Sequence, residues 1–381
     1  MIVDFILIAG MSLLFLLVVF LLKSNTGLSK KLLSVFFINS IFFLLYYYAY
    51  LHRSKSLGAI AILFGNGSGF LLGPFLLFYI KSLIQPTKRI LKPLGLHLIV
   101  FFTFWILVSL PVSLSMSFGS FNEYHNRYVK YADFLNLFEN IYFLIYVIIS
   151  LRLINRIKEA SEQAYSNLDS NDLSWVSYLI WGVIVIIILD SSFSIYETFY
   201  LIIPWNIGTI IAFAFIVLNC ILAYKGMFQA RILLPVFLSE ENPAVTLSSG
   251  IVKNRPVKQL DSFSNEEIEK LKINLKELLQ HKKPYLNENL TLSDLANDLE
   301  ITDKKLSELL NQHLETNFYN FINEYRVAEV KARLGEEKYK KDTLLSIAFD
   351  SGFQSKTSFN RVFKQKTGMS PSNYKKQLRL L

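Results

Sequence analysis

The sequence holds one cysteine in 381 residues, Cys220, so no disulfide can close within the chain. It lies in an apolar run, where a free cysteine is expected to serve packing. Histidine is scarce, with five in all. His97 stands alone on an apolar stretch, with no second His, Cys or acid at ligand spacing, so no metal site is expected. No glycine-rich phosphate loop, nucleophile motif or kinase-like signature occurs. The sequence therefore gives no catalytic residue and no cofactor to propose, and an enzyme is the reading it supports least. Charge is also sparse: only 18% of residues are Asp, Glu, Lys or Arg. Within that fraction acids are short, 30 against 39 basic residues.

What is present is apolar. The chain is 52% hydrophobic, with a mean hydropathy of +0.36. Apolar and basic together suggest a membrane and an anionic partner. Seven apolar stretches centre near Leu13, Ile41, Phe70, Phe104, Phe143, Val185 and Phe213. Each approaches the roughly 20 residues needed to cross the hydrocarbon core. No basic n-region precedes the first, which reads as a retained helix, not a cleaved signal. The third is the least regular, with Gly65-Asn-Gly-Ser-Gly69 followed by Gly73-Pro74; small residues allow close helix approach and the proline allows a kink.

Loop charge sets an expected topology. Lys23, Lys30, Lys31, Lys81, Lys88, Arg89, Lys92, Arg152, Arg156 and Lys158 fall in odd loops, while even loops hold Arg53, Lys55, Arg127 and Lys130. Ten against four puts odd loops in the cytoplasm, the N-terminus outside and the C-terminal part inside. Two acids, Glu139 and Asp190, fall within the fifth and sixth stretches. One reading makes them part of a sensing cavity, since ionisable groups in lipid usually face the bundle interior. The other leaves them near the outer interface, hydrated or bonded to Asn140 or Ser191.

Composition changes after Tyr224. Residues 225–237 mix apolar groups with Lys225 and Arg231, suited to the inner interface. Residues 239–262 are rich in Ser, Pro, Asn and Lys and read as a flexible linker. Order resumes at a capping box, Ser264 to Glu267, followed by Ile268, Leu271, Leu275, Leu278 and Leu279 on one helix face. Core packing is favoured for that face over a dimer seam, because the stripe is too short for a coiled coil.

A helix-turn-helix pattern then occurs twice. Ala296 matches Ala348 and Ile301 matches Phe353, an offset of 52; Leu310 matches Phe363 and Phe321 matches Tyr374, an offset of 53. The first unit spans about 291–314 and the second about 344–367. In the first, Leu306, Leu309 and Leu310 face inward and leave Thr302, Lys304, Lys305, Ser307, Glu308 and Asn311 outside. In the second, Ser355 caps a helix that buries Phe359, Val362 and Phe363. Lys356, Thr357, Asn360, Arg361 and Lys364 lie opposite. From Ser355 to Leu381 there are seven basic residues and no acid. Arg and Lys pair with guanine edges and Asn with adenine, while the remaining cations suit phosphates. A helix over residues 317–334 would span about 27 Å, close to the roughly 34 Å between successive major-groove faces.

These residues resemble the AraC/XylS family of bacterial transcription regulators. The likeness rests on Ala348-Phe-Asp-Ser-Gly-Phe353, on Ser358-Phe-Asn-Arg-Val-Phe-Lys364, on Thr367-Gly-Met-Ser-Pro-Ser-Asn-Tyr374, and on Asn320-Phe-Ile-Asn-Glu-Tyr-Arg-Val327 as a linker helix. It implies an all-α domain that binds double-stranded promoter DNA, commonly as a homodimer, with RNA polymerase as a further partner. It also implies that Lys304, Ser307 and Glu308 in the first copy, and Lys356, Thr357, Asn360 and Arg361 in the second, contact bases. Two departures stand out. Glu315 replaces a glycine common after the first recognition helix, and Glu308 puts an acid where a basic contact is usual. An N-terminal membrane domain resembles one architectural subgroup, from Bacteroidetes-type bacteria, but does not identify a ligand. The expected architecture is thus all-α: a seven-transmembrane helical bundle (1–224), a juxtamembrane segment and linker (225–263) and a tandem helix-turn-helix domain (264–381). The expected place is the bacterial inner membrane, multi-pass, in contact with the lipid bilayer. A transporter or receptor with a regulatory DNA-binding tail is the alternative. The residues do not state the sense of control; activation is the expectation carried forward.

Overall fold

Uninterrupted runs of Leu, Ile and Phe satisfy their own backbone only as helices when no water is at hand, and helices are what they form. The computed structural model describes residues 2–23, 27–84, 90–119, 122–168, 174–200, 207–228 and 264–378. Among these, helix is the one extended regular element; an isolated bridge joins Tyr165 and Thr291. The chain forms two compact units: Met1–Ile154 with Leu173–Ile232, and Asn155–Asp172 with Leu233–Leu381.

The first unit contains α1 (Ile2–Lys23), α2 (Leu28–Leu51), α3 (Lys55–Gly65), α4 (Ser68–Ile84), α5 (Leu91–His97), α6 (Ile99–Phe104), α7 (Leu110–Phe118), most of α8 (Asn122–Ala164), α9 (Ser174–Phe199) and α10 (Ile207–Phe228). Among the described residues, six helical stretches are long and apolar enough to cross a membrane by length and composition; a further apolar helix, Thr209–Lys225, is shorter. Six of the seven expected centres fall in the long stretches and Phe213 falls in the short one. Phe5, Phe15 and Leu16 of α1 are exposed while Leu7, Leu14 and Leu21 are buried. An apolar helix with an apolar open face suits lipid better than water.

The third stretch breaks at Asn66 and Gly67 (φ +75°), as its composition suggested, and Pro74 sits inside α4. The fourth is interrupted more than its sequence suggested. It runs as α5, α6, a π-helical turn Trp105–Ser109, and α7. Pro111 has no N–H to give the turn before it, which favours a widened turn there. Trp105 Nε1 also donates to Leu63 O at 2.6 Å, tying the irregular segment to α3.

The second unit contains α11 (Asn265–His281), α12 (Leu292–Asp298), α13 (Asp303–Glu308), α14 (Phe318–Gly335), α15 (Leu344–Asp350), α16 (Lys356–Thr367) and α17 (Pro371–Leu378). The Ser264–Glu267 capping box is formed, and Ile268, Leu275 and Leu279 of α11 enter a core with Leu295, Leu306, Leu310, Phe318 and Ile322. A second core gathers Tyr319, Val327, Val330, Ile347, Phe353, Phe359 and Phe363. Helix α14 serves both. The expected linker, residues 239–262, and residues 229–237 before it lie outside the described residues.

The repeat extends to backbone detail. Thr291 and Thr343 cap α12 and α15, and Thr302 and Ser355 cap α13 and α16. Glu300 (φ +56°) and Gly352 (φ +90°) take left-handed conformations at matching turn positions. Glu315 (φ +50°) and Gly368 (φ +77°) do so after the two recognition helices. The first recognition helix departs at its end, where Leu309–His313 widens into a π turn.

Candidate nucleic-acid interface and a cavity among the apolar helices

Helix α16 is held by one face and open on the other. Ser355 Oγ accepts from Ser358 N at 3.1 Å, fixing the start of the helix. Phe359, Val362 and Phe363 are buried, while Lys356, Thr357, Asn360, Arg361 and Lys364 are all exposed. The five residues proposed for the second copy therefore share an accessible surface. Not every cation nearby is available to a ligand. Lys366 pairs with Glu324 at 3.3 Å, and Lys375 Nζ donates to Asp342 O at 3.1 Å. Arg361 Nη2 donates to Tyr319 Oη at 3.1 Å, and its guanidinium lies 5.9 Å from that ring. Burial pushes the Tyr319 phenol up, against the pull of Arg361. Tyr319 was not foreseen as part of the site; it restrains the arginine before any ligand arrives.

The first copy presents a less open surface. Thr302, Lys305 and Asn311 are exposed, and Lys304, Ser307 and Glu308 are half-buried. Several polar groups there are engaged locally. Thr302 Oγ1 accepts from Lys305 N as the cap, and Asn311 Nδ2 donates to Ser307 O at 2.8 Å and to Ser307 Oγ at 3.2 Å. Asn311 lies in the π turn and stays beside Ser307 through these two bonds.

Both copies converge on a residue that the sequence reading passed over. Arg326 of α14 is 1% exposed, on the stripe with Ile322 and Val330. Its Nε donates to Tyr285 O at 2.8 Å and its Nη2 to Asn287 O at 2.8 Å, both just ahead of the first copy. Gly352 of the second copy packs beside it: a Cβ there would lie 2.9 Å from Arg326 Nε and 2.2 Å from Tyr285 O. Burial lowers the guanidinium to about 10. Arg326 could have been found in the sequence, since a charge recurring at i and i+4 with Ile322 and Val330 must be buried or distort the helix.

The first unit contains a cavity of about 290 Å³. Glu139 and Asp190 both line it, with Asn66, Ser68, Asn140 and Asn219. Glu139 Oε1 accepts from Ser68 Oγ at 3.2 Å and from Gly69 N at 2.6 Å. A Cβ at Gly69 would fall 2.8 Å from Glu139 Cγ, so glycine is what allows that approach. Asp190 Oδ2 accepts from Asn140 Nδ2 at 2.6 Å, one of the two bonds expected of a non-sensing acid. His97 Nδ1 is bonded to Tyr146 Oη at 2.6 Å.

Residues 295–377 match the family model described as a helix-turn-helix domain. This part of the chain is an AraC-type helix-turn-helix domain. The helix-turn-helix domain is similar to that of uncharacterised HTH-type transcriptional regulators of Staphylococcus aureus. The proteins from strains COL and MSSA476 are each 32% identical over 91 residues, covering 24% of this chain and 12% of theirs. The chain thus spans about an eighth of the length of these relatives. A solved structure of a Listeria innocua protein of unknown function is 30% identical, with a TM-score of 0.24, covering 28% of this chain and 94% of that one.

Proposed function

We propose that the chain is a one-component transcription regulator held in a bacterial cytoplasmic membrane by its apolar helices, with its helix-turn-helix domain in the cytoplasm. The carrying observation is the exposed face of α16, where Lys356, Thr357, Asn360, Arg361 and Lys364 stand together on a rigid aromatic core. Arg361 reads a base edge, and Lys356 and Lys364 hold phosphates. The first copy contributes through Lys304, Lys305 and Glu308 with a smaller share of base contacts. Promoter DNA, the bilayer and RNA polymerase are the partners of this reading, and the loop-charge bias supports the orientation. Footprinting with full-length protein in nanodiscs tests it. Arg361→Ala should cost about 1–3 kcal/mol at the preferred site and relax the choice at one base pair. An equal loss on every duplex would make Arg361 a phosphate contact, and no sequence preference in the wild type would end the reading.

The cavity with Glu139 and Asp190 supports a sensing role for the first unit. Its acids and its aromatic walls, among them Phe43, Tyr46, Tyr128 and Phe215, suit a cationic ligand better than an anionic one. A reporter that responds to the same growth conditions in Glu139→Gln and wild type would exclude that role.

A further inference from the structure

The second unit contains more than the C-terminal part of the chain. It takes in Asn155–Asp172, the end of α8 and the residues that follow it. In the sequence this loop contributes only the positive charge of Arg152, Arg156 and Lys158. Helix α8 continues to Ala164, and the chain then leaves it through a bridge residue, Tyr165, and a bend at Ser166.

That short run is bonded on three sides. Tyr165 pairs with Thr291 in an antiparallel bridge, and Ser166 N donates to Leu290 O at 3.3 Å. Ser166 Oγ donates to the same carbonyl at 2.6 Å. Those contacts are with the N-terminal cap of the first helix-turn-helix copy. Ser166 O accepts from Asn323 Nδ2 at 3.2 Å and from Arg326 Nη1 at 2.9 Å, both on α14. Glu162 Oε2 accepts from Asn317 Nδ2, the cap of the same helix, at 3.2 Å. On the third side, Asn167 Nδ2 donates to Gln354 Oε1 in the turn of the second copy, and Leu168, 8% exposed, completes that copy's hydrophobic core. Ser166 itself is 1% exposed.

The chemistry of Arg326 gives this docking its weight. Its guanidinium makes four hydrogen bonds, all to neutral oxygens, and two of them end on Ser166. Nη1 has Ser166 O as its acceptor. If residues 165–168 withdrew, a buried cation would lose half its acceptors and the second core would lose Leu168. A buried charge is tolerated only when paired and hydrogen-bonded, so the site is built for an occupant. The occupant is in place: a segment of the same chain.

We propose that residues 162–168 are a strap that fixes the two helix-turn-helix copies relative to each other through Arg326, so that the grip on DNA depends on the end of helix α8. This rests on the DNA-binding reading of α16. It supplies a connection from the apolar helices additional to residues 225–263. One helix, α8, carries both Glu139 of the cavity and Glu162 of the strap. With the strap seated, the recognition helices are preorganised and DNA binding is tight. With it displaced, they are free to reorient and binding weakens.

The test uses full-length protein in isolated membranes, with Cys220→Ser as background. Tyr165 and Thr291 form a non-hydrogen-bonded antiparallel pair, for which Cα atoms lie about 4.5 Å apart, within disulfide range. Tyr165→Cys with Thr291→Cys should therefore cross-link on mild oxidation, read as protection from maleimide labelling. Leu168→Asp should weaken binding to the preferred duplex by about tenfold, at the low end of ordinary coupling between sites. Oxidising the cysteine pair in the Leu168→Asp background should restore binding, which separates an unseated strap from a domain that has failed to fold. Failure to cross-link, wild-type affinity in Leu168→Asp, or no recovery on oxidation would each overturn the proposal. Cross-linking in a wild-type background that binds no duplex selectively would instead refute the DNA-binding reading and leave the docking intact.

Discussion

Glu315 and Gly368 sit at matching places after the two recognition helices, both with positive φ. Glycine tolerates that region freely, while a residue with a Cβ is strained there by about 1–2 kcal/mol. Glu315→Gly should raise the stability of the domain by roughly 1 kcal/mol, and Gly368→Ala should lower it by a similar amount, read in thermal melts of the purified chain. Glu329 offers a pH test. Burial alone would raise its carboxyl, but bonds from Lys283 and Arg333, each 2.9 Å, outweigh burial and hold it below the ordinary 4.5. A folded value below the unfolded one gives stability that is present above about pH 4.5 and lost as pH falls through the depressed value. Acid titration should therefore destabilise the wild type more than Glu329→Gln; equal acid sensitivity would remove Glu329 from the explanation.

At the scale of elements, α16 was the most legible part of the chain. Its cap, its aromatic stripe and its opposed basic face are all local patterns, and each stands where the residues put it. Phe363→Ala should cost about 3–5 kcal/mol, since it empties a fully buried position. Lys364→Ala, one residue on and exposed, should leave stability within about 0.5 kcal/mol. Comparing chemical denaturation of the two variants checks both. The first recognition helix was less legible, because its closing π turn follows from how Leu309 and Leu310 pack and not from any breaker residue. The interruptions of the fourth apolar stretch were missed for a related reason: Pro111 was visible, but the bond from Trp105 to Leu63 joins residues 42 apart. Residues 162–168 left no trace in periodicity, because their docking combines backbone pairing with the side chains of Glu162, Ser166, Asn167 and Leu168, on partners more than 120 residues away. Arg326 alone among the buried groups carried a readable signal that was passed over.

For the whole molecule, charge should govern association. The formal net charge is +9, and phosphate contacts release counterions, so affinity for duplex DNA should fall linearly on a double-logarithmic salt plot. Removing one phosphate contact, as with Lys364→Ala, should reduce the slope by about 1; an unchanged slope would place that lysine off the DNA. Assembly of the C-terminal unit has its own logic. Phe318 and Ile322 of α14 enter one core, whereas Tyr319, Val327 and Val330 enter the other. Neighbours in sequence thus brace opposite neighbourhoods through a single rod. The two copies are accordingly an obligate couple: a chain cut within residues 318–335 would strand both readers at once, and neither could drift in shape without forcing the other to follow.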